Sequence, residues 1–106
     1  MFSFVKYSNI KKDCRSLKKI IQVLNGMPNT ILSIDIPTGL FTDFNHENQP
    51  HGIVQATHTL CFHMPKLAFL LPECGEKSGH FHLLDIGILP SYLKKVCTPY
   101  NYLTLE

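Results

Sequence analysis

Apolar residues at Leu17, Ile20, Ile21 and Leu24 recur at i, i+3, i+4 and i+7, the stripe of an amphipathic helix. Asp13 is the expected N-cap, and Gly26 followed by Pro28 marks the stop. Lys11 and Lys12 oppose the helix dipole at its start, at a cost of roughly a few tenths of a kcal/mol where they are exposed.

The pattern then changes period. Within Thr30-Ile31-Leu32-Ser33-Ile34-Asp35 the apolar side chains fall on both faces, which predicts a strand over 30–35 covered by helices on both sides. Residues 41–52 carry turn and loop chemistry throughout. Over 54–62, Thr57, Thr59 and Cys61 alternate with His58, Leu60 and Phe62, predicting a second strand. Pro65 to Leu71 has room for one or two helical turns before Pro72. Phe81 to Ile86 reads as a third strand, and Pro90 suits the first turn of a short helix over Ser91 to Val96. The strand-like Met1 to Val5 is either an edge strand or a frayed start. Residues 98–106 read as a linker or tail, which leaves 1–97 as the folded unit.

Helices alternating with short apolar strands predict an α/β fold, a partial three-layer αβα sheet of about three core strands with flanking helices. Little helix separates 54–62 from 81–86, so parallel and antiparallel pairing are both open for the later strands.

Composition narrows the class. A chain of 106 residues is one domain at most, and 44% apolar against 17% charged residues favours a packed core over disorder. A net charge of +2 gives no reason to expect nucleic acid, and the lysine pairs at 11–12, 18–19 and 94–95 read as solvated helix faces. Cys14, Cys61, Cys74 and Cys97 lie far apart without a C-x-x-C pair, so neither a zinc nor a redox motif is suggested. Scattered thiols fit a reducing cytosol. The N-terminus has no signal-peptide pattern, and the apolar run near Leu67 stops at Pro72, well short of a membrane span. A cytoplasmic protein without a membrane partner is expected.

Candidate chemistry gathers at strand ends. Asp35 closes the 30–35 strand just ahead of Ile36-Pro37-Thr38-Gly39, the position where open α/β sheets bind ligands. The plainer reading is that Asp35 caps the turn by accepting backbone N–H groups. Thr38 offers oxygen ligands suited to a hard cation, or simply a turn hydroxyl. Lys66 sits just beyond the second strand, and Asp85-Ile86-Gly87 repeats the strand-acid-turn arrangement, so one acid can do chemistry while the other holds a loop. Six histidines invite a transition-metal reading, with His80 and His82 on one strand face and His63 at another strand's end, but no H-E-x-x-H spacing supports it. G-x-S-x-G, P-loop and G-x-G-x-x-G motifs do not occur, which removes serine hydrolase, kinase and self-contained dinucleotide-binding readings.

These segments resemble a known family. Ser33-Ile34-Asp35-Ile36-Pro37-Thr38-Gly39 resembles the S-[IV]-D-[IV]-P-[ST]-G motif of the YjeF N-terminal domain family, the NAD(P)H-hydrate epimerases. Ala56 to Phe62 resembles the A-[DT]-x-T-[LV]-[TC]-F strand, Pro65-Lys66 the P-K pair after it, and Leu83 to Ile88 the closing V-x-D-I-G-I strand. The resemblance implies a Rossmann-like domain that interconverts the R and S epimers of hydrated NADH and NADPH with a potassium ion at the site. It implies that Asp35 contacts the hydrated nicotinamide and assists proton transfer, and that Thr38, where many members have Ser, is a potassium ligand.

The departures set a further expectation. The family's Asn-Asn-Gly-Gly-Asp-Gly loop belongs upstream of Met1, and its F-G-x-G-L loop is replaced by Phe2-Ser3-Phe4-Val5-Lys6, which would crowd phosphate oxygens. The chain therefore resembles the C-terminal half of an epimerase domain, inactive or dependent on the missing N-terminal half. Its tail is similar to the connector into a dehydratase domain. A non-catalytic binding or scaffold module and a decayed remnant of the same fold are the alternatives. Either way, uncovered apolar surface on the 30–35 strand would favour homo-oligomers.

Overall fold

A computed structural model describes residues 2–4 and 15–105. Four strands form one sheet in chain order: β1 (Phe2–Phe4), β2 (Ile31–Ile34), β3 (His58–Phe62) and β4 (His80–Leu84). Every neighbouring pair is parallel, with Ser3 opposite Leu32, Ser33 opposite Thr59 and Thr59 opposite Phe81. The later strands are thus not antiparallel. The crossover through α2 (Leu67–Leu70) and the 3-10 turn Gly75–Ser78 carries the chain back to the start of the sheet without a long helix.

Parallel strands need crossovers, and crossovers are overwhelmingly right-handed. When each new strand is added on the same side, right-handed connections all fall on one face of the sheet. The burial follows this rule. Ile21 and Leu24 of α1 (Arg15–Gly26) pack on Ile31 and Val54, with Leu17 at the margin. Beside them, Ile36, Leu40 and Ile53 of the β2–β3 connection join Cys61, Ala68, Phe69 and Cys74, with Phe81 packed alongside. Ser33 and Thr59, opposite each other in register, lie fully buried on the same side. A buried isoleucine such as Ile21 contributes about 1.5–3 kcal/mol relative to an exposed one.

The other face is different. Leu32, Ile34, His58 and Leu60 are half-buried, while Phe62, His80, His82 and Leu84 are exposed. Among the described residues the expected two-sided cover of the 30–35 strand is met on one side, because winding in a single direction supplies connections to a single face.

Smaller differences have local causes. Ile20, read as part of the inward stripe, is 51% exposed, since the narrow contact with β2 uses Ile21 and Leu24. Strand β4 begins at His80, whose N–H reaches Thr57 O at 3.0 Å, and ends before Asp85 and the turn at Gly87, φ 77°. Helix α3 (Pro90–Leu93) opens at Pro90, and turn-type hydrogen bonds continue to Val96. The proposed N-cap Asp13 and the Lys11–Lys12 pair lie outside the described residues. No helix of the described residues is long and apolar enough to cross a membrane.

Candidate functional site

Two adjacent strands end in the same way. Asp35 follows β2 with φ 65°, and the Ile36 N–H donates to Ile34 O at 2.9 Å, closing a γ-turn around Asp35. His63 follows β3 with φ 61°, and the Met64 N–H donates to Phe62 O at 2.7 Å. Turns of this positive-φ kind are rare and cost on the order of 1–3 kcal/mol each. Both residues remain tied into the sheet while they turn: Asp35 N–H donates to Leu60 O at 2.8 Å and His63 N–H to Leu84 O at 2.7 Å. Such outliers concentrate where a side chain must be aimed.

The Asp35 carboxylate is almost covered. Its Oδ1 lies 2.9 Å from Lys66 Nζ, with side-chain exposures of 9% and 22%, and accepts the Phe62 N–H at 3.3 Å. Lys66 comes from the Pro65-Lys66 pair just ahead of α2, so the pair joins the ends of β2 and β3. An ammonium in this place compensates a charge that would otherwise be costly to bury. Cys61 sits behind them, donating its thiol hydrogen to Met64 O at 2.9 Å. Burial pushes the Cys61 thiol above its ordinary pKa, against the opposing pull of Lys66.

Thr38 is buried three residues beyond Asp35, and its carbonyl accepts the Val54 N–H at 2.9 Å. Its Oγ1 has no hydrogen-bond partner among the described residues. Gly39 adopts φ 91°, and a Cβ there would collide with the carbonyl of Gly52. The following loop is stitched by amides. Asn45 Oδ1 accepts from Phe41 N–H at 2.9 Å and from Asn48 Nδ2 at 2.9 Å, while Asn48 Nδ2 also reaches Gly39 O at 2.8 Å. Glu73 Oε2 takes the Asn45 N–H at 2.8 Å, which fastens the loop to the segment after α2.

The second acid behaves differently. Asp85 is 83% exposed, its Oδ1 caps the Gly87 N–H at 2.8 Å, and it lies 3.5 Å from His63 Nδ1. That contact is loose, since His63 Nδ1 forms no hydrogen bond among the described residues. Of the residues singled out in the sequence, Asp35 and Lys66 meet, Thr38 stands close in sequence with an unused hydroxyl, and Asp85 instead faces His63. The left-handed turn at His63 and the Asn45–Asn48 stitching had no sequence signal. Lys66 had one, its place at the same sheet edge as Asp35. Among the described residues no three His, Cys, Asp or Glu side chains gather as a metal-holding group.

The family model for the YjeF-related protein N-terminus matches residues 1–68. The chain belongs to this family. Three similar proteins are each named as a bifunctional NAD(P)H-hydrate repair enzyme Nnr. The one from Thermofilum pendens is 31% identical over 71 residues, covering 66% of this chain and 13% of that protein. Those from Escherichia coli and Moorella thermoacetica are 27% and 30% identical, over 69% and 65% of this chain and 14% and 13% of their own length. The chain thus spans about one-seventh of the length of these relatives. No solved structure matches. Within the YjeF-related family the Asp35 and Thr38 turn lies inside the matched 1–68 stretch, as do β1 to β3, while β4 and α3 follow it.

Proposed function

We propose that residues 1–97 act as the C-terminal portion of an NAD(P)H-hydrate epimerase domain, with 98–106 as a connector. Asp35 carries this reading: a carboxylate at the C-terminal edge of a parallel sheet, held in a left-handed turn and salt-bridged to Lys66 at 2.9 Å. In the proposed reaction the Asp35 carboxylate accepts the hydroxyl proton of the hydrated nicotinamide as the ring opens. The same carboxylate returns it when the ring closes on the opposite face. Lys66 holds the carboxylate in place and balances its charge. Gly39 lets the backbone turn away beneath the substrate.

The unpartnered Thr38 Oγ1 fits a potassium ion, a hard cation that takes neutral oxygen ligands, and Thr38 would hold it together with groups outside the described residues. Such an ion would supply positive charge at the site. Turnover depends on the N-terminal half of the domain, and a dehydratase domain and self-association belong to the same proposal.

The test follows conversion of R-hydrated NADH to its S epimer, with potassium, by the chain alone and with the N-terminal half of a relative's domain added. Turnover is expected with both pieces and is lost with Asp35→Asn, which tolerates the left-handed backbone. Turnover unaffected by Asp35→Asn would remove the proposed site.

A further inference from the structure

The open face of the sheet carries three imidazoles that the proposed reaction does not use. His58 stands opposite His80 in the β3–β4 register, and His82 lies two residues further along β4 on the same face. The His58 and His82 rings are 5.3 Å apart between centroids and tilted by 38°, and His58 Nδ1 stands 3.2 Å from His82 Nε2. His80 is the next neighbour, its ring 5.7 Å from that of His58. None of the three has a carboxylate partner among the described ion pairs and hydrogen bonds.

We infer that His58 Nδ1 and His82 Nε2 form a two-imidazole chelate for a divalent transition-metal ion such as zinc. Two nitrogens at about 2.0–2.1 Å from one tetrahedral zinc stand about 3.3 Å apart, so the observed spacing is already the bite of such a chelate. Both rings sit on paired strands, which fixes their separation better than loops would. Binding needs a lone pair on each nitrogen. In the metal-free pair one of the two carries the proton of the shared hydrogen bond. That proton moves to the other nitrogen of its own ring, His58 Nε2 or His82 Nδ1, so a neutral pair takes the ion without net proton release. The remaining coordination positions go to water, consistent with the absence of a third ligating side chain among the described residues. Half-exposed surroundings leave those waters in place, and the site suits nitrogen-preferring zinc, nickel or copper rather than magnesium or calcium.

The test is a titration of the whole chain with zinc chloride, read by nitrogen-15 spectra of the imidazole rings, which report each histidine and its tautomer separately. Saturation by one ion per chain is expected, with metal-bound shifts at His58 Nδ1 and His82 Nε2. His46 and His51, exposed in the loop before β3, serve as internal controls that stay unshifted. Either His58→Gln or His82→Gln should weaken binding by about tenfold or more, and His80→Gln should leave it within about threefold. Zinc that shifts neither His58 nor His82 would overturn the inference, as would a loss on His80→Gln equal to that on His82→Gln. Because the wild-type spectra decide the first point, a variant that fails to fold cannot mask the answer. A negative result leaves the Asp35 proposal untouched, since no residue is shared.

Discussion

Lys66 and Asp35, each just past the end of a different strand, meet as a 2.9 Å ion pair that fastens the end of β2 to the end of β3. Removing either partner takes one compensating charge away from a partly buried group, which costs more than the pair contributes.

Lys66→Met is therefore expected to destabilise the chain by about 1–3 kcal/mol, with Lys66→Arg recovering most of the loss. Adding Asp35→Asn to Lys66→Met should cost less than the two single changes summed, since the charge left behind is then also gone. Urea unfolding of the wild type, the three single variants and the double variant measures this. Additive losses would show that the pair is not energetically coupled.

His63 predicts the opposite sign for a glycine. At φ 61° a side chain is strained, so His63→Gly should hold or raise stability by up to about 1 kcal/mol, the relief of strain being partly offset by the entropy of glycine. His63→Val should lower it by at least about 1 kcal/mol, because a β-branched residue fits this backbone poorly. A thermal melt in which valine outperforms glycine would contradict the turn.

The glycines separate two effects. Gly79, φ 60°, sits against the Thr57 carbonyl, and Gly39 against that of Gly52, so alanine at either site meets backbone that cannot yield. Gly87 has φ 77° but nothing near a Cβ. Gly87→Ala should cost only the backbone term, about 1–2 kcal/mol, while Gly39→Ala and Gly79→Ala prevent normal folding. Circular dichroism of the three variants distinguishes these outcomes.

The unpartnered hydroxyl at Thr38 should be dispensable for the fold. Thr38→Val keeps the shape and removes the orphan polar group, so stability without added cations is expected to stay level or rise by up to about 1 kcal/mol. A clear loss in chemical denaturation would mean that the hydroxyl holds the turn.

Alkaline pH should weaken the fold through its thiols. Burial raises the pKa of both Cys61 and Cys74 above 9.0. Below pH 9.0 both states keep these protons, so the contribution is whole; above it the unfolded chain releases protons that the folded one retains, and stability falls as pH rises through the folded values. The midpoint difference between wild type and Cys61→Ala/Cys74→Ala, followed from neutral to alkaline pH, should narrow along that slope. A pH-independent difference would contradict it.

The local elements were readable in the sequence. Helix α1, β2, β3 and the turn at Pro37-Thr38-Gly39 follow from period, breakers and the Asp35 strand end. Pairing direction was not readable, because the length and composition of 63–79 permit either sense, and the outcome rests on crossover geometry. The one-sided burial of β2 was hidden for the same reason: Leu32 and Ile34 are as apolar as Ile31, and topology alone decides which meets the core. Lys66 was visible at the right edge, but its pairing with Asp35 depends on register between β2 and β3. His58 and His82 come together only through the β3–β4 register.

Sheet order and chain order coincide, and this has a consequence for how the chain is assembled. Leu32 cannot pair with His58, nor His58 with His80, until an intervening crossover has closed, so each ladder is preceded by the entropy of a long loop. No hairpin among the described strands can act as an early nucleus. The same order suits synthesis on the ribosome, where β1, α1 and β2 precede β3 and β4 and each later strand finds its neighbour already laid down at the growing edge.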